Sequence, residues 1–182
     1  MRSTAAALAV ALLAALAFAA PASSDSASKL ERRNTLEAAV VREMNRVRAA
    51  HGLDPLSVSP SLRTAARDHS RSMLEVGFFG HDSADGTAFS DRIRRHYTNR
   101  GWRFWSVGEA LLASQAQAID ARQIVEDSLE SPPHREIILS TTWRDAGIGA
   151  FYTPIAPNEY GDAPTIVVTA DFGLRQGKLG TA

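Results

Sequence analysis

Cysteine is absent from all 182 residues, which excludes a disulfide framework, a thiol nucleophile, a lipid-bearing cysteine and thiolate metal ligands. Stability must come from core packing alone. Net charge is absent as well, with 20 Lys and Arg against 20 Asp and Glu, so no overall field draws the chain to nucleic acid or an anionic membrane. Basic residues crowd together only in the short Arg92-Ile93-Arg94-Arg95 cluster, and a nucleic-acid partner is not expected. Two catalytic signatures are missing: no His-Glu-x-x-His helix and no Gly-x-Ser-x-Gly elbow occurs, which removes the usual sequence marks of a zinc peptidase and a serine hydrolase.

One apolar run does occur, at the start. Arg2 supplies a positive n-region, Ala5 to Ala20 are almost purely apolar, and Ala17-Phe18-Ala19 or Ala20-Pro21-Ala22 offers the small residues that a signal peptidase requires. Residues 1–22 are read as a signal peptide, and the protein as secreted to the extracellular space or cell envelope with no stable membrane span after cleavage; an uncleaved anchor is the alternative. Residues 23–33 are Ser, Ala, Asp, Glu, Lys and Arg with Leu30 as the one large apolar side chain, a composition that reads as a flexible linker. Residues 34–177 are one domain's length of chain, with 178–182 as a tail.

Within the domain the expected class is α+β. Leu36, Val40, Met44 and Val47 recur at helical spacing behind Asn34, with Glu37 placed for a capping box. Ser59-Pro60 opens a second helix whose stripe is Leu62, Ala66, His69, Met73 and Val76, closed by Gly77. A third helix is expected over about Ala118 to Leu129, and a short fourth one starts at Ser131-Pro132, with Ser131 as its cap. Ala146 to Tyr152 and Thr165 to Phe172 read as strands of a long-looped hairpin, and Trp102 to Val107 as a short third strand.

Two imidazoles and a carboxylate stand out against this frame. His81, Glu109 and His134 lie far apart in sequence, each in a segment rich in Gly, Pro, Ser or Asp, as expected where loops gather distant groups over a rigid scaffold. Neutral imidazole suits zinc or a similar divalent ion, a carboxylate offsets its charge, and three protein ligands leave a position open. Each has a plainer reading. His81 could be a turn histidine bonded to Asp82, His134 could bond a facing segment, and Glu109 could be a helix-start carboxylate. His69 sits within an apolar stripe and reads as a core histidine with one satisfied hydrogen bond, while His51 and His96 read as solvent-facing. Trp102, Phe104 and Trp105 read as core or cleft wall, and Asp82, Asp85 and Asp91 are spaced poorly for a calcium loop.

Five segments fall in one order: Asn45 to Leu56, Phe78-Phe-Gly-His81, Val107-Gly-Glu-Ala-Leu111, Ser131-Pro-Pro-His-Arg-Glu-Ile-Ile-Leu139 and Trp143-Arg-Asp-Ala-Gly-Ile-Gly149. Together they resemble the CAP superfamily (cysteine-rich secretory proteins, antigen 5 and pathogenesis-related 1 proteins), in a bacterial, disulfide-free form. The resemblance implies an α/β/α sandwich with a small antiparallel sheet between helices. It also implies a cleft of two histidines and two acids, which register assigns to His81, Glu109 and His134. Register places Ser131 at the second acid, so Glu130 is the substitute, and Ser128 stands where a tryptophan is usual. Two functions are open: a secreted binding module for a lipid, sterol, cell-envelope fragment or partner protein, with a divalent metal such as zinc possible in the cleft; or a metal-dependent hydrolase with Glu109 as base.

Overall fold

The computed structural model describes residues 30–179; the signal segment, the linker up to residue 29 and the last three residues of the tail lie outside them. In chain order the elements are β1 (Glu31–Arg32), α1 (Asn34–Ala50), β2 (Ser57–Val58), α2 (Pro60–Val76), α3 (Phe89–His96), β3 (Trp102–Ser114), α4 (Ala121–Glu130), α5 (Pro132–Ile138), β4 (Asp145–Ala156) and β5 (Ala163–Lys178). The strands form one sheet in the order β1-β4-β5-β3, antiparallel throughout, with the two-residue β2 added parallel to β4. Helices cover both faces. Strand alternation sends Ala110, Ile148, Val168 and Phe172 to a core shared with Val40 and Met44 of α1, Ile124 of α4 and Ile138 of α5. The opposite face meets α2 through Leu111, Phe151 and Val167 against Met73 and Leu74, and through Leu62, which packs with Ile93 of α3. This is the expected α/β/α sandwich. Among the described residues no helix is long and apolar enough to cross a membrane.

The second helix obeys its sequence signals: Ser59 Oγ accepts the Leu62 amide at 3.4 Å, proline opens the first turn, and Leu62, Ala66, His69 and Met73 are buried. Its seat on the sheet depends on two glycines of β4, because a Cβ at Gly147 would lie 2.0 Å from the Arg63 amide nitrogen and one at Gly149 would lie 2.4 Å from the Ala66 carbonyl.

Several expectations need correction. Leu30 to Arg33 are not linker: Glu31 and Arg32 pair with Tyr152 and Phe151, and the Arg33 amide donates to the Ala150 carbonyl at 2.9 Å. An edge strand is held by backbone hydrogen bonds, so its polar side chains gave no sign of it. At the other end Lys178 still belongs to β5, and the Leu179 amide donates to the Gly101 carbonyl at 2.9 Å, so the tail starts later than residue 178. No capping box forms on α1, since the Glu37 carboxylate turns away to Arg67 of α2 and accepts the Ala150 amide. Ser131 occupies the cap position of α5, but its side chain makes no capping bond. Helix α4 begins at Ala121 rather than near Ala118, because Asp120 caps it by accepting the Arg122 amide at 2.7 Å. Helix α3 was not anticipated, and the third strand is twice the expected length, which places Glu109 on a strand rather than at a helix start.

Candidate functional site

The centre of the site is a pair of carboxylates on neighbouring strands. In the antiparallel register of β3 and β5, Glu109 lies directly opposite Asp171, and directly opposed side chains share a face. Both are buried, Asp171 completely. Arg92, on the inward face of α3, reaches both: its Nη2 donates to Glu109 Oε2 and its Nη1 lies 3.9 Å from Asp171 Oδ2. The other Glu109 oxygen meets His81, whose Nδ1 lies 2.9 Å from Oε1. Glu109 thus has both oxygens engaged.

The His81 loop is fixed from beneath. His69 Nε2 bonds the Gly80 carbonyl at 2.9 Å, and Arg92 Nη2 donates to the His81 carbonyl at 3.4 Å. His69 is the core histidine with one satisfied bond that its position in the stripe implied, since its Nδ1 is buried without a partner, and it also positions the loop that carries His81. The turn-histidine reading fails, because the Asp82 carboxylate accepts the amide of Phe89, the first residue of α3, at 3.1 Å, and His81 bonds Glu109 instead. Asp85 accepts the Thr87 amide and Asp91 pairs with Arg94, so the three aspartates do not converge.

Electrostatics divide the cluster. Burial pushes Glu109 up, but the His81 bond and the Arg92 charge outweigh it and hold this carboxylate below its ordinary value. Asp171 goes the other way: burial and the adjacent Glu109 charge raise it well above the carboxylate range against the pull of Arg92. Both Asp171 oxygens lack a hydrogen-bond donor, so the one compensating charge facing this buried acid is Arg92. The two acids therefore share one guanidinium between them. His81 is raised by its bond to Glu109, and its side chain is 54% exposed. His134, the third residue of α5, is lowered by burial and by the charge of nearby His81.

Of the four expected residues, His81 and Glu109 are in direct contact and His134 lies within reach of the His81 charge. Glu130 ends α4 on the exposed surface and is not part of the cluster. Among the described residues, no group of three His, Asp or Glu side chains is placed to hold one metal ion. Both Glu109 oxygens are already engaged, so an ion bound there would have to displace His81 or Arg92. Arg92 and Asp171 were missed. Their signals were an acid inside the otherwise apolar strand Ile166 to Phe172, and an arginine beside Ile93 on the inward face of a short helix.

A layered helix-sheet-helix domain with an imidazole and carboxylate cluster over one sheet edge defines a CAP-type domain. The sequence model of the cysteine-rich secretory protein family (CAP) matches residues 41–160, and the chain belongs to that family. Among solved structures it is similar to an extracellular protein containing an SCP domain from Bacillus anthracis, at 22% identity and a TM-score of 0.60, covering 79% of this chain and 41% of that one. It is also similar to an outer surface protein from Borrelia burgdorferi, at 19% identity and a TM-score of 0.61, covering 82% and 99% of the two chains. A third similar structure is a cysteine-rich secretory protein from Staphylococcus aureus, at 16% and 0.51, covering 78% and 39%. The chain therefore spans under half the length of the Bacillus and Staphylococcus proteins and nearly all of the Borrelia one. A comparison with curated proteins finds no match.

Proposed function

We propose that this chain is an exported CAP-domain binding module whose cleft, with His81 and His134 at its surface, takes a lipid, a cell-envelope fragment or a segment of a partner protein. One observation carries the reading: both oxygens of Glu109 are committed, to Arg92 and to His81. A carboxylate held low and bound on both oxygens is a poor general base, which counts against the metal-dependent hydrolase with Glu109 activating water. Its geometry suits a supporting role. Bonded at Nδ1, the His81 ring is fixed with Nε2 facing outward, the orientation a carboxylate imposes on a histidine from behind. His81 and His134 are then the two donors left for a divalent ion, one short of the usual three.

Purified protein with added zinc is expected to leave peptide, ester and cell-wall substrates intact, while mass spectrometry of the native protein finds a co-purified small molecule that is reduced in His134→Ala. Turnover that disappears in His134→Ala would instead establish the hydrolase.

Export rests on the composition of residues 1–22 and on the extracellular and outer-surface descriptions of the Bacillus and Borrelia proteins. Mass spectrometry of culture medium should find a mature form beginning between Ala20 and Ser23, and recovery only from cytosol with Met1 attached would refute it.

A further inference from the structure

Residues 92–105 hold five arginines and no acid, and 173–179 add Arg175 and Lys178, again without an acid. In a chain of zero net charge this is a strong local concentration. The fold gathers the two segments at one end of the β3/β5 ribbon, where Trp102 pairs with Lys178, Phe104 with Gln176 and Trp105 with Arg175. Trp105 packs against the Leu62, Ile93 and Tyr97 cluster as expected, whereas Phe104 is neither core nor cleft wall. Phe104 is 57% exposed, Leu179, which bonds Gly101 at the tip of the ribbon, is 50% exposed, and Trp102 and Trp105 are half-buried. Glu109 lies five residues further along β3, about 17 Å away at the usual rise per residue.

Arg95, Arg100 and Arg103 are presented to solvent, while Arg175 is tucked against Tyr97 and Arg94 is paired. Arg175 lies 3.5 Å from the centroid of the Tyr97 ring, with Nε and Nη2 buried and unpartnered, and Arg94 lies 4.9 Å from the Trp105 centroid. Of the exposed arginines at this end, Arg94 has Asp91 as an ion-pair partner, whereas Arg95, Arg100 and Arg103 have no such partner among the described residues. A soluble polyanion would reward the arginines and leave Phe104 and Leu179 in water. A second copy of the chain would meet like charge with like. One kind of partner rewards both features at once: a surface with anionic headgroups above hydrocarbon, where arginines meet the charge and aromatic rings settle at the boundary.

We propose that the end of the β3/β5 ribbon docks on an anionic lipid surface, with Phe104 and Leu179 entering the headgroup region and Arg95, Arg100, Arg103 and Lys178 pairing with phosphates. This surface is separate from the cleft, so its test stands apart from the binding-module reading. The full chain should sediment with vesicles of phosphatidylglycerol and phosphatidylcholine but not with phosphatidylcholine alone, with a blue shift of tryptophan emission. Each surface charge near such a membrane contributes enough that the double variant Arg100→Ser/Arg103→Ser should bind about 30-fold more weakly. Phe104→Ser should lose about fivefold and most of the emission shift, and His134→Ala should bind as the unaltered protein does. Three results would overturn the proposal: no sedimentation with anionic vesicles, loss of binding in His134→Ala, or equal binding to single-stranded DNA that is indifferent to Phe104→Ser.

Discussion

Replacing Arg92 by alanine is expected to destabilise the fold by about 3–5 kcal/mol, the usual cost of removing one partner from a buried ion pair. For a domain of this size that corresponds to a fall in the thermal midpoint on the order of 10 °C. The guanidinium is the cation that faces both Glu109 and Asp171, and both carboxylates are completely shielded from solvent. Arg92→Lys should recover part of the loss, since an ammonium supplies the charge without the fork that reaches two acids. The pH dependence separates the acids. Glu109 is held below its ordinary value, so the stability it contributes is present above about pH 4.3 and is lost as pH falls through its folded value. Asp171 is raised, so its contribution is complete below about pH 3.9 and is lost as pH climbs toward a folded value well above that. Asp171→Asn, which keeps the neutral shape, should abolish this descending arm; thermal melts of the two proteins at a series of pH values would show it. An unchanged arm would mean that Asp171 is ionised in the fold.

Gly147→Ala is expected to cost about 3 kcal/mol or more, at the upper end of what overpacking does, because the added methyl meets backbone rather than a movable side chain. Its nearest neighbours would be Arg63 N at 2.0 Å and Leu62 C at 2.2 Å, so α2 would have to lift from the sheet and carry His69 with it. The same exchange at Gly80 meets nothing within 4 Å and should stay within about 0.5 kcal/mol. Chemical denaturation of both variants measures the difference, and similar values would show that α2 does not rest on β4 through these glycines.

The long elements were legible because their signals are local and redundant. Helix α2 carries a cap, a proline, a stripe and a terminal glycine, and the middles of β4 and β5 are long, mostly apolar buried runs. Helix α3 has no such redundancy: Ile93 is its one buried apolar side chain, and the other residue it buries is Arg92. Residues 92–95 read only as a short basic cluster, although one of its arginines points inward to compensate two acids. Edge strand β1 escaped for a related reason, since backbone pairing leaves no trace in hydropathy. At the site, motif register found His81, Glu109 and His134, but composition could not reveal that the positive charge facing Glu109 belongs to the chain itself. That information resides in the cross-strand pairing of Glu109 with Asp171 and in the packing of α3 above them.

Arg92 and His81 hold Glu109 in a closed cluster, so the cleft is expected to take up no ion of its own. Calorimetric titration with zinc at neutral pH, on the intact protein and on Arg92→Gln, tests it most directly. The intact protein should show no one-to-one uptake, while the variant, with Glu109 released to join the two imidazoles, should gain zinc binding that weakens as pH drops through about 6.5, where imidazole protonates. Tight one-to-one uptake by the intact protein, lost in both His81→Ala and His134→Ala, would contradict the claim.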